Sequence, residues 1–176
     1  QQYRSLMSDH NLHVPIRQPR FLTGQSLDVL GCCAIMPINR GTPCTMILMS
    51  TGAFLVHVDG TTHELDRVAV PSRLHNTVVV GNWWENRFEG RDVLIASNRD
   101  VTGLVFSERT DLLKTLCRHF PLCGLVPCYT TDLDFHVLRL IKTDGGVTIV
   151  DKQSCRVYVF QPVECIGINF NVAKHG

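Results

Sequence analysis

Along this chain of 176 residues, short apolar runs alternate with short breaks of turn-forming residues, and the runs are rich in β-branched side chains. Residues 45–60 and 147–162 show the pattern best. Each carries an apolar run, a small or polar break, and a second run with β-branched and aromatic residues. That form predicts a β-hairpin whose strands are largely buried. Aligned from Met49 and Asp151, the two copies run without a gap, and Gly52 falls opposite Ser154.

Further strands are predicted at 62–66, 77–80, 93–96, 104–106, 135–142 and 164–170, with Asp144-Gly145-Gly146 as a hairpin turn. A short helix is expected over 26–38, capped by Ser26 and stopped by Pro37, and a second over 107–119. The second has an apolar stripe of Leu112, Leu113 and Leu116, Glu108 in its first turn, and Arg118 and His119 in its last. Residues 81–92 read as a loop. The fold class expected is α+β: a mixed, mostly antiparallel sheet of hairpins with one or two flanking helices. Three segments follow: a proline-punctuated arm or the end of a preceding element at 1–24, a first α+β module at 25–120, and a second hairpin unit at 121–176 that packs on or continues the same sheet.

Hydrophobic content of 44% suits a buried core, and a net charge of +1 provides no global field toward nucleic acid or acidic lipid. No apolar run reaches the length needed to span a bilayer, so no membrane partner is expected. The opening Gln-Gln-Tyr-Arg suggests a piece of a longer polypeptide. Of eight cysteines, Cys32, Cys33, Cys44, Cys155 and Cys165 lie in or beside apolar runs, as free thiols acting as small hydrophobes do. A reducing compartment, cytosol or nucleus, is expected.

Candidate chemistry is sparse. Cys117, His119, Cys123 and Cys128 bring four zinc-capable groups within twelve residues, without the Cys-x2-Cys spacing that marks zinc knuckles. The bland alternative is buried thiols beside a solvated histidine. His57, His63, Asp59 and Asp66 read as a polar strand edge, and Leu122-Cys123-Gly124 is an isolated Cys-Gly with no oxyanion loop. Asp132 and Asp134 alternate at an expected strand entry and are read as surface groups. No metal or cofactor is expected. Trp83 and Trp84, with Arg87 and Arg91, form the most suggestive surface segment, either an aromatic-plus-arginine contact patch or a loop anchored on the core.

Residues 29–41, with the Cys32-Cys33 pair and Gly41, resemble the first motif of the betaherpesvirus "US twenty-two" family. Both hairpins resemble its second motif, and Arg87-Phe88-Glu89-Gly90-Arg91 is similar to a stretch that follows it. Pro37, Arg40, Met49 and Ser154 depart from the pattern. The resemblance implies a SUKH-like fold and structural roles for Cys32, Cys33, Gly41, Gly52, Phe88, Gly90 and Asp151. It further implies a viral tegument or immune-evasion module, without catalytic residues, in the cytoplasm or nucleus of the host cell. Its partners would be host proteins of antiviral or cell-death pathways, or a related viral module. Nucleic-acid binding (double-stranded RNA) is the second reading, not favoured, and a Cys/His zinc module or cysteine hydrolase the third.

Overall fold

A computed structural model describes residues 33–38, 41–65, 68–131, 133–152 and 157–160, together with residues 5, 8–9 and 20–21. In chain order the strands are β1 (Arg20–Phe21), β2 (Cys33–Pro37), β3 (Thr42–Met49), β4 (Gly52–His57), β5 (Thr62–Leu65), β6 (Thr77–Trp84), β7 (Arg87–Ala96), β8 (Arg99–Asp100), β9 (Cys123–Leu125), β10 (Val147–Asp151) and β11 (Val157–Phe160). Helix α1 spans Phe106–His119 and α2 spans Leu133–Asp144. The chain divides into two compact units, one of Gln1–Ile16 with Arg40–Val126, the other of Arg17–Asn39 with Pro127–Gly176. The coarse expectation, α+β with mostly antiparallel sheets, is what the structure shows.

In the first unit the sheet order is β5-β4-β3-β6-β7-β8, with β9 added parallel to β7. Strands β3 and β4 pair from Cys44↔His57 to Met49↔Gly52, the hairpin expected at 45–60. Its unbroken apolar runs are explained by burial on both faces. Met46, Leu48, Leu55, Val79, Phe88 and Val93 face Leu113, Leu116 and Phe120 in one core. Ile47, Val56, Val78, Leu94 and Ile95 form a separate buried cluster. Each fully buried Leu, Ile, Val or Phe contributes about 1.5–3 kcal/mol relative to exposure. At the start of α1 the Glu108 carboxylate accepts a hydrogen bond from the Val105 N–H at 3.2 Å; Val105, having no side-chain acceptor, gives nothing in return.

The second unit holds a sheet of order β1-β11-β10-β2. Strands β10 and β11 pair antiparallel from Val147↔Phe160 to Val150↔Val157, the other expected hairpin. Cys33, Ile35, Leu140, Val147 and Ile149 form its core. Tyr129 stacks on His136 with ring centroids 3.9 Å apart and accepts a 2.6 Å hydrogen bond from Arg139.

Several expected elements differ. Residues 135–142 are helical: Leu133, Val137 and Leu140 recur at helical spacing and pack on the second core, so a period of 3.6 wins over the β-branched content. The expected loop at 81–92 is the two arms of the β6–β7 hairpin, turning at Glu85 and Asn86, both at positive φ (47° and 61°). That pair lacks glycine, so it carries no strong turn signature. The expected helix at 26–38 is strand β2 from Cys33 onward, because Cys33–Ile35 pair with β10 in the core; residues 26–32 lie outside the described ones. Residues 104–105 lead into α1 without forming a strand, and Gly145-Gly146 joins α2 to β10 instead of closing a hairpin. The strand expected at 164–170 lies outside the described residues.

Two glycines are required by close approach. At Gly41 (φ +74°) a Cβ would stand 2.1 Å from the Trp83 carbonyl oxygen. At Gly81 it would stand 2.2 Å from the Glu89 carbonyl oxygen and 2.7 Å from the Phe88 ring. Both sites leave no room for a side chain beside β6 and β7.

Candidate nucleic-acid interface

Strands β6 and β7 form a long hairpin in which register shifts between Val78 and Val79 and between Val80 and Gly81 make Leu94 and Arg91 the extra residues of β7. Strand β6 itself is regular, so Val78, Val80, Asn82 and Trp84 share one face, away from α1. Cross-strand pairing places Glu89 opposite Asn82 and Arg87 opposite Trp84 on that same face. The face is therefore apolar at Val78 and Val80 and becomes polar and aromatic toward the hairpin tip.

Each residue at the tip has a distinct situation. Trp83 points the other way and packs on the first core, whereas Trp84 is 36% exposed. Arg87 is exposed and extends over Gly124, where a Cβ would meet its Nη2 at 2.6 Å; a side chain there would displace the guanidinium. Asn82 is 1% exposed, and its Nδ2 donates no hydrogen bond. Burial pulls the Arg91 guanidinium down to about 10, opposed by the Glu89 carboxylate, which leaves it protonated at neutral pH. Such a surface offers a ring for stacking and a cation for phosphate. Asn82 was missed in the sequence because its alternation with Val78, Val80 and Trp84 was hidden by reading 81–92 as a loop.

The other candidate groups fall as follows. Cys117 and Cys123 come together with sulfurs 3.5 Å apart, while Cys128 belongs to the other unit. His119 lines a separate cavity of about 180 Å³ with Arg73, Leu74 and Leu116. Among the described residues no three metal-capable side chains cluster. The hydrogen bond with the neighbouring Cys117 thiol, and burial after it, drive the Cys123 pKa far upward, opposite to what a hydrolase nucleophile requires. Asp59 accepts hydrogen bonds from the Thr61 hydroxyl (2.7 Å) and N–H (2.9 Å), which lower its pKa; it organises the turn after β4. Asp134 sits on α2, and Asp66 and Asp132 lie outside the described residues. Among the residues assigned structural roles, Cys33, Phe88 and Gly90 are buried, Gly52 has φ +148° opposite Met49, and Asp151 pairs with Cys33 at the end of β10. Cys33 and Cys44 are buried; Cys32, Cys155 and Cys165 lie outside the described residues.

Two units, each a hairpin-built sheet carrying a helix, define a fold shared with DNA ligases. A mycobacterial DNA ligase D complexed with ATP and MES superimposes with a TM-score of 0.61 at 14% identity, over 81% of this chain and 59% of that one. The ligase domain of M. tuberculosis LigD gives 0.57 at 15% identity, over 82% and 55%. A Lig E DNA ligase, from a study of DNA binding with a minimal scaffold, gives 0.54 at 12% identity, over 84% and 70%. The chain thus spans about three fifths of the first of these ligases, 59% of its length. The sequence matches no family model and no curated protein.

These likenesses correct the sequence reading. The "US twenty-two" and SUKH resemblance is overturned, and with it the viral tegument, immune-evasion and host-protein-binding expectations. The expectation of a protein with no enzymatic role and with nucleic acid disfavoured as partner is overturned as well, since the fold is one that DNA ligases use. The physical reason is plain. An apolar run, a turn and a second apolar run describe any hairpin buried on both faces, so the motif reported hairpins and not a family. Near-neutral net charge is a whole-chain sum and is silent about one hairpin tip.

Proposed function

We propose that this chain is a nucleotide- and nucleic-acid-engaging module of the ligase-type nucleotidyl-transfer class. The observation that carries the reading is the backbone likeness, over 81–84% of the chain, to ligases described as bound to ATP and as binding DNA. The surface proposed for nucleic acid is the face of the β6–β7 hairpin with Trp84 and Arg87 at its tip and Asn82 behind them. Trp84 stacks on a base, Arg87 neutralises a phosphate, and Arg91 adds positive charge beneath. Trp83 supports the strand from the core side.

Fluorescence anisotropy with labelled single-stranded and duplex DNA and RNA tests this, with ATP or GTP and Mg²⁺ added in parallel titrations. Saturable binding is expected, weakened about tenfold to a hundredfold by Trp84→Ala, the range for one lost base stack. Equal affinity in wild type and a folded Trp84→Ala/Arg87→Ala variant would remove the hairpin tip from the account. Absence of binding to every nucleic acid and nucleotide would remove the function itself.

A further inference from the structure

We propose that Cys117 and Cys123 form a peroxide-oxidisable dithiol, a modification site that closes reversibly into a disulfide between the end of α1 and β9. Their sulfurs stand 3.5 Å apart. The short segment between them is fixed, since the Phe120 N–H donates to the Leu116 carbonyl and the Cys123 N–H to the Phe120 carbonyl, both at 2.9 Å. A bond needs the sulfurs about 2.0 Å apart, so each has only a short way to move.

The two thiols differ in the way such chemistry requires. Cys117 is half-buried on the last turn of α1, whereas Cys123 is 3% exposed. The Cys117 pKa is lowered, chiefly by a hydrogen bond from Cys123 and further by the Arg87 charge. The hydrogen bond with Cys117, and burial after it, raise the Cys123 pKa, so Cys123 is the thiol that keeps its proton. Cys117 is therefore the attacking thiolate and Cys123 the resolving thiol.

The oxidant is hydrogen peroxide. Cys117 Sγ bonds to one peroxide oxygen, the O–O bond breaks, and the departing hydroxide takes up a proton as water. Cys123 Sγ then attacks the resulting sulfenic sulfur. The S–S bond forms, the S–O bond breaks, and the hydroxyl leaves as a second water with the Cys123 proton. Two thiols are oxidised by two electrons and one peroxide is reduced. The bridge ties α1 to β9, which pairs along Phe88–Gly90 with β7, the strand that carries Arg87.

The reduced whole chain is treated with hydrogen peroxide, its remaining thiols are alkylated, and it is mapped by mass spectrometry. The expected product has lost two hydrogens, carries a Cys117–Cys123 linkage and returns to starting mass with dithiothreitol. Cys123→Ala is expected to hold Cys117 as a sulfenic acid that dimedone captures. In Cys117→Ala the peroxide reactivity of Cys123 is expected to fall at least tenfold. Over-oxidation of Cys117 in the wild type without a bridge, or a bridge joining other cysteines, overturns the proposal. Since Cys123→Ala removes a buried sulfur, the wild-type map decides even if that variant does not fold.

Discussion

Arg109 is the most consequential buried charge in the first unit, and its partner shows how it is tolerated. The residue is 4% exposed on α1, and its Nη2 stands 3.2 Å from the Asp92 carboxylate on β7. Its Nη1 donates a long 3.4 Å bond to the Thr102 carbonyl, and its Nε has no acceptor. Neutralising Asp92 as Asp92→Asn leaves the guanidinium buried without a counter-charge. Breaking a buried pair in that way costs about 3–5 kcal/mol. The Asp92 side chain is 31% exposed, so water replaces part of the lost interaction, and about 2–3 kcal/mol is expected. The Asp92 oxygen that accepts from the Val93 N–H at 2.9 Å survives in asparagine, while an amide nitrogen replaces the oxygen facing Arg109, so the change removes both the charge and the acceptor. Arg109→Met, which removes the buried cation and keeps the apolar stem, is expected to cost less than about 1 kcal/mol or to stabilise. Urea unfolding of both single variants and the double variant checks this, with Asp92→Asn expected to be nearly harmless once Arg109 is Met. A cost below about 0.5 kcal/mol for Asp92→Asn, or equal costs for the two single variants, would refute the reasoning.

Further outcomes can be measured alongside. Phe88→Ala empties a fully buried site in the first core and is expected to lower unfolding free energy by about 3–5 kcal/mol in denaturant. Gly41→Val forces a branched side chain against the Trp83 carbonyl at positive φ and is expected to cost at least about 2 kcal/mol in thermal or urea unfolding. Burial pushes the Cys44 thiol up to about 11 from 9.0, which favours the neutral form in the folded state. Its contribution to stability is therefore full below pH 9.0 and lost as pH rises toward about 11, and Cys44→Ala is expected to flatten that decline in alkaline unfolding curves. Arg87→Ala is expected to reduce the slope of log affinity against log salt for nucleic acid by about 1.

The paired hairpins were legible because largely buried strands write themselves as unbroken apolar runs, and both were found at β3–β4 and β10–β11. Helix α1 was legible from its leucine stripe and its charged ends. Helix α2 was not, since Phe135, Val137 and Ile141 imitate a strand and only the spacing of Leu133, Val137 and Leu140 separates the two. The candidate site was half legible. Trp84 and Arg87 stood out as residue types, yet the Glu85-Asn86 turn, lacking glycine, concealed the hairpin that pairs them and brings Asn82 onto their face. The fold likeness was beyond reach of local pattern altogether. At 12–15% identity the ligase likeness resides in the backbone path and in which strands pair, and such pairing is invisible to a window sliding along the sequence.

The central claim, that this fold engages nucleic acid, is tested most directly by measuring wild-type affinity for a labelled duplex across a salt series starting at low ionic strength. Saturable binding is expected, with log affinity falling linearly by about 0.9 for each phosphate neutralised, one of them by Arg87. Absence of binding at the lowest salt, or an affinity indifferent to salt, would contradict it.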